Sequence, residues 1–102
     1  MDSRVNRQVR AIIQMVGDEF GVDPMLIIAK GRGSHEVSCA RAVCAFMMRG
    51  FLPNYKINAI LGGRSPSYAS GAFLKVHARS LTDHEFYMRV GRIADMFGAP
   101  MN

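Results

Sequence analysis

The chain has 102 residues, a formal net charge of +5 and 49% hydrophobic residues. That suffices for one domain with its own core, is too apolar for general disorder, and leaves no room for a multidomain enzyme or motor. No apolar run approaches the ~20 residues of a membrane span.

The opening Met1-Asp2-Ser3-Arg4 does not read as a signal peptide, so a cytoplasmic setting is expected. Val5, Val9, Ile12, Ile13, Val16 and Phe20 recur at three and four, which predicts a helix from Ser3 to Phe20. Ser3 suits its start and Gly21 its left-handed stop. Asp23-Pro24 reads as a cap with proline at the first helical position, opening a short helix over Met25 to Ala29. Lys30-Gly31-Arg32-Gly33 is a basic loop. Ser34 restarts a helix that carries Val37, Ala40, Val43, Cys44, Met47, Met48 and Phe51, bracketed at its end by Gly50 and Pro53. Asn54 is expected to cap a short helix with Ile57, Ile60 and Leu61 inward, broken by Gly62-Gly63. Ser65-Pro66 is expected to open the next helix, which packs Ala69, Ala72, Phe73 and Val76. Thr82-Asp83-His84-Glu85 reads as a capping box, with Leu81 and Phe86 as its hydrophobic staple. The last helix turns Phe86, Val90, Ile93 and Phe97 inward and ends at Gly98 and Pro100. The expected fold is all-α, about six helices around one core.

Charge is distributed unevenly. Residues 30–79 hold eight lysines and arginines against one acid, Glu36, a net of +7, while the rest of the chain carries −2. Such asymmetry points to a polyanionic partner, most often nucleic acid, and the alternative is an ordinary solvated basic surface. Within this segment, residues 54–79 form a short helix, a glycine turn and a second helix, a helix-turn-helix pattern. Arg64, Ser65, Ser67, Tyr68 and Ser70 crowd the second helix's start, and Lys75, His77 and Arg79 its far end. A helix start offers N–H donors and a positive dipole end to phosphate, and in this motif it enters the major groove. A plain αα-hairpin gives the same pattern.

The stretch Ile60-Leu61-Gly62-Gly63-Arg64-Ser65-Pro66-Ser67-Tyr68 resembles the turn and recognition helix of the C-terminal DNA-binding domain (domain IV) of the bacterial replication initiator DnaA. Upstream, Phe20-Gly21-Val22 with Leu26, Ile27 and Lys30 is similar to that family's first corner, and Ala40-Arg41-Ala42 sits where the family has an arginine opening a long helix. The resemblance covers roughly Val9 to Arg79. It implies a Trp-repressor-like helix-turn-helix domain, monomeric on double-stranded DNA. Arg41 would enter the minor groove. Lys30 and Arg32 would lie beside that groove, and Arg64, Ser65, Ser67, Tyr68, Ser70 and Lys75 would meet bases or phosphates.

Ser65 and Pro66 stand where the family has an aspartate and a histidine that read bases, and Gly71 replaces a histidine associated with phosphate. The resemblance therefore implies the docking mode without the initiator's target sequence. The chain holds no G-x-x-x-x-G-K-[ST] phosphate loop, so no initiator ATPase is expected in it. The function implied is a bacterial transcription regulator on the nucleoid, including regulators of phage-like or gene-transfer-agent genes. The alternatives are an adaptor for RNA polymerase or another DNA-bound protein, and an origin-occupying antagonist of replication.

Catalysis, metal and cofactor are not expected. His35, His77 and His84 lack metal-ligand spacing, and Ser67 and Ser70 lack a base and orienter. Cys39 and Cys44 fall about 140° apart around one predicted helix, too far to share a metal or a bond, and read as buried small hydrophobes.

Overall fold

The computed structural model describes residues 3–97, and within them the chain is all-helical. The elements are α1 (Ser3–Phe20), α2 (Pro24–Ile27), α3 (His35–Met48), α4 (Asn54–Ile60), α5 (Tyr68–Thr82) and α6 (His84–Phe97). The expected stop at Gly98 and Pro100 lies outside the described residues.

The periodic face of α1 buries Val9, Ile12 and Val16. Gly21 ends the helix at φ 66°, and the Val22 N–H donates back to the Gly17 carbonyl at 2.9 Å, which closes the left-handed stop. Asp23 then caps α2 by accepting from the Met25 N–H. Ser34 caps α3 by accepting from the Val37 N–H at 3.2 Å.

α3 is the central helix, packed between α1 and α5. Its Val37, Ala40, Val43, Cys44, Ala45, Met47 and Met48 are all buried, as a helix surrounded on most sides requires. α6 closes the core from the other side with Phe86, Val90, Ile93 and Ala94. Aromatic pairs join the layers: Phe46 stacks on Phe73 at 5.1 Å between ring centres, and Phe51 on Phe97 at 6.0 Å. Glu19 near the end of α1 receives Arg89 and Arg92 from α6.

Several boundaries differ from the sequence reading. α2 runs from Pro24 to Ile27, short of Ala29, and α3 stops at Met48, before Phe51. Asn54 is the first residue of α4, and Pro53 occupies the cap position. α5 begins at Tyr68 and not at Ser65-Pro66. The reason lies in α4. The buried Asn58 side chain accepts from the Ala69 N–H at 3.1 Å and donates to the Pro66 carbonyl at 3.3 Å, so the cap comes from another helix. Thr82 belongs to α5, and Asp83 caps α6 instead, accepting from the Phe86 N–H at 3.0 Å. Leu81 is 73% exposed and forms no staple.

Candidate nucleic-acid interface

The basic loop and α5 face each other across a cleft of about 820 Å³. One wall is the loop and the first turns of α3, with Arg32, His35 and Cys39. The other is the turn after α4 and the near face of α5, with Arg64, Ser67, Gly71 and Lys75. Ser65, Tyr68 and Arg79 also line it. Among the described residues no aspartate or glutamate lines this cleft. Lys30 and Ser70 lie outside it.

Arg41 occupies a position quite unlike a surface contact. It is 3% exposed. Its Nε donates to the Ile27 carbonyl at 2.8 Å. Its Nη1 donates to Gly31 and Arg32 at 3.2 and 3.0 Å, and its Nη2 to Leu26 and Ala29 at 2.8 and 3.3 Å. A guanidinium has five N–H donors, and here each meets a backbone carbonyl of α2 or of the loop that follows it. Groove insertion, the role implied by the family resemblance, would require breaking this cage. The same cage explains how the segment after α2, residues 28–32, holds one conformation with no regular structure: its carbonyls and those of the end of α2 converge on one cation.

Arg64 works the same loop from the other side. Its Nε donates to its own turn, at the Leu61 carbonyl, at 2.7 Å. Its Nη2 donates to Ala29 at 2.8 Å and Gly31 at 2.7 Å. Ala29 and Gly31 thus each accept from both arginines. Burial, and then the adjacent Arg64 charge, push Arg41 below the ordinary arginine pKa. Two guanidinium groups share one set of carbonyls, and among the described residues no carboxylate pairs with either. Carbonyl dipoles satisfy the donors but cancel no net charge, so a positive field emerges into the cleft.

The turn itself is built for this close approach. Gly62 has φ 95°, and a Cβ there would run into the Ala29 carbonyl oxygen. The backbone carbonyl of Asn58 accepts from both the Gly63 and Arg64 N–H groups, at 3.0 and 2.9 Å. The α4–α5 turn and the basic loop are therefore one rigid unit, tied through Arg64, Gly62 and Asn58.

The remaining expected residues fall into distinct places. Lys30, Arg32, Ser65, Ser67 and Lys75 are exposed. Among the described residues the side chains of Lys30, Arg32 and Lys75 engage no hydrogen-bond or ion-pair partner. Ser70 accepts from the Asn54 side chain at 3.0 Å, linking α5 to α4. Tyr68 is half-buried against the core, and burial pushes its phenol up while Arg41 and Arg64 pull it down. The start of α5 is less open to an anion than its position implied, since the Tyr68 N–H donates to Ser65 and the Ala69 N–H to Asn58.

Several contributors went unread in the sequence. Asn58 carries a signal in hindsight, a polar residue set between Ile57 and Leu61 on the inward face of α4. His35, at the rim, carried none. Arg79 was noted only as a charge. It lies over the Phe86 ring at 4.2 Å, pairs with Asp83 at 3.3 Å and reaches the Cys39 sulfur at 3.4 Å. Cys44 is buried as expected, but Cys39 is only half-buried. Among the described residues no His, Cys, Asp and Glu group could hold a metal, and no helix is long and apolar enough to cross a membrane. Comparison with protein-family models, with curated proteins and with solved structures finds no match for the chain.

Proposed function

We propose that this chain binds double-stranded DNA sequence-selectively, through α4, the glycine turn and α5 acting as a DnaA-like helix-turn-helix, and serves bacterial transcription control. One observation carries the reading: the cleft between the basic loop and α5 has cations and hydroxyls on its walls, around an apolar floor of Ala72, Val76 and Phe86, and no carboxylate among the described residues lines it or pairs with Arg41 or Arg64. A polyanion supplies what is missing. The family resemblance suggests which one, and α5 has the length and exposure of a groove-reading helix.

In this mechanism Ser65 and Ser67 at the start of α5 face base edges in the major groove, where hydroxyls serve either donors or acceptors. Lys30 and Arg32 lie toward the adjacent minor groove, whose negative potential draws such side chains. Lys75 and the free end of Arg64 hold phosphates. Arg41 touches no DNA and instead fixes the loop that presents Lys30 and Arg32.

The test is selection of bound duplexes from a randomised pool at near-physiological salt, followed by sequencing. A defined motif is expected, and its recurrence in promoters would distinguish a regulator from an antagonist acting at the origin. A pool that stays random would refute sequence-selective binding. The adaptor reading has its own support: Leu74 and Leu81 lie seven residues apart on the outward side of α5, 64% and 73% exposed.

A further inference from the structure

The cleft between the basic loop and α5 has an apolar side that a duplex does not use. Below the cations lies the floor of Ala72, Val76 and Phe86. Cys39, Ala42 and Tyr68 also line the cleft, and each is packed on the core yet only half-buried. These three keep surface that an occupant of the cleft covers. DNA meets a protein wall with phosphates and base edges, and a phosphate pressed into an apolar recess loses water without gaining donors. The exposed rim suffices for the duplex, and the recess suits something smaller.

Its size and its charge say what that is. At about 820 Å³ the cleft falls among small-molecule sites, which span ~300–1,000 Å³. Its walls are held before anything binds: Arg64 ties the α4–α5 turn to the loop at Ala29 and Gly31, and Arg41 ties the loop to α3. Five lysines and arginines line it, and no aspartate or glutamate among the described residues does. Arg41 is caged, and Arg79 pairs with Asp83. Arg32 and Lys75 are exposed, and Arg64 spends its Nε and Nη2 within the fold, which leaves Nη1 for a ligand. The Tyr68 hydroxyl makes no hydrogen bond among the described residues, so it too is available.

We infer that the cleft is the binding site of a small organic anion with an apolar body. The body lies over Cys39, Ala42 and Tyr68, and the anionic group meets Arg32, Arg64 and Lys75. Those cations are the ones the duplex needs, so ligand and duplex exclude each other, and the ligand releases the chain from DNA. The site stands on the cleft alone, whereas the exclusion rests on the DNA reading above.

Three probes separate the contributions. Anilinonaphthalene sulfonate joins an apolar body to one anionic group, phenylnaphthylamine is the same body without charge, and sodium sulfate is charge without the body. Binding is read by dye fluorescence, by the thermal midpoint and by the rate at which neutral iodoacetamide labels Cys39. The anionic dye is expected to bind, raise the midpoint, slow the labelling of Cys39 and displace a labelled duplex. The neutral dye and sulfate should each bind about tenfold or more weakly, since each lacks half of the interaction. Arg32→Glu combined with Lys75→Glu alters exposed side chains only, and should weaken the anionic dye about tenfold or more while leaving the neutral dye unchanged. If sulfate competes with the anionic dye at equal concentration, the recess contributes nothing and the inference is wrong. If the dye binds while Cys39 labels at its free rate, the dye sits on another apolar patch and the inference is again wrong. Dye and duplex bound together would refute the exclusion. A chain that binds no duplex, yet whose Cys39 the dye still protects, keeps this site and loses the DNA reading.

Discussion

Removing the Arg41 guanidinium should unfold the interface before it affects any contact with a ligand. Arg41→Ala deletes five charged-donor hydrogen bonds of 2.8–3.3 Å. Such bonds contribute about 1.5–3 kcal/mol each, and a buried acceptor left alone costs about 1–3 kcal/mol. The five are not additive. The bond to Ile27 is fully buried, whereas the other four are partly buried, so water can reach the carbonyls they leave. The expected loss is therefore about 3–5 kcal/mol, comparable to deleting one partner of a buried ion pair. Domains of this size are stable by roughly 5–15 kcal/mol in total, so the midpoint should fall by roughly 15 °C or more. The chain has no tryptophan, so urea unfolding is best followed by far-ultraviolet circular dichroism. Arg41→Lys decides the mechanism. Lysine keeps the charge but gathers its donors on one nitrogen, which cannot span carbonyls from Leu26 to Arg32. It should lose about 2–4 kcal/mol. If Arg41→Lys is as stable as the parent chain while its DNA affinity falls, Arg41 acts as a contact and the cage argument is wrong.

Gly62→Ala should cost about 3 kcal/mol or more, since φ is 95° and the new methyl would strike the Ala29 carbonyl. Gly63→Ala, at φ 74° in open space, should cost only about 1 kcal/mol in the same urea assay. Hydrogen bonds from Arg92 and then Arg89 hold the Glu19 carboxyl below its ordinary pKa. A depressed carboxylate stabilises the fold above its unfolded pKa and loses that contribution as pH falls through the folded one. Glu19→Gln should therefore cost about 1 kcal/mol near neutrality and nothing in strong acid, tracked by thermal midpoints across pH. Native thiol titration should label Cys39 and leave Cys44 unreacted, because burial pushes the Cys44 thiol far up. Equal labelling of both would place Cys44 outside the core. Duplex affinity should fall with a log–log salt slope of about −3.6, from the four cations Lys30, Arg32, Arg64 and Lys75, each contributing about −0.9. A clearly steeper slope would mean that Arg41 leaves its cage for the DNA.

Short-range chemistry was the legible part of this fold. The apolar repeat of α1, the Asp23 and Ser34 caps and the Gly21 stop each depend on residues within a turn or two of one another. What misled was chemistry supplied from elsewhere in the chain. Ser65-Pro66 has the local look of a helix start, yet Asn58 supplies the cap across eleven positions. Thr82 and Asp83 both fit a cap, and only the length of α5 decides between them. Arg41 is the instructive case. Val37, Arg41, Cys44 and Met48 follow four–three–four spacing, which sets the arginine on the inward stripe of α3. Its burial was therefore visible in the pattern. Its partners were not, because carbonyls at the end of α2 and in the loop after it leave no mark in the residue types that carry them.

This division changes what the basic segment means. A net of +7 over residues 30–79 reads as a set of hands for phosphate. In the fold, Arg41 is wholly engaged and Arg64 largely so, Arg79 is paired with Asp83, and Arg49 lies over the Phe73 ring at 4.3 Å. Of these four, only Arg79 meets an opposite charge. The others keep their field while giving up much of their freedom to form new contacts. On the proposed reading, field and contact are thus separated: the buried Arg41 and the half-buried Arg64 supply a fixed positive potential beside the cleft, and exposed side chains on its rim, Arg32 and Lys75 among them, supply the grip. A scaffold charged in this way needs no reorganisation when an anion arrives, since its donors are already held and its dipoles already oriented. The small polar residues at the start of α5 are then left free to discriminate between ligands that the field attracts alike.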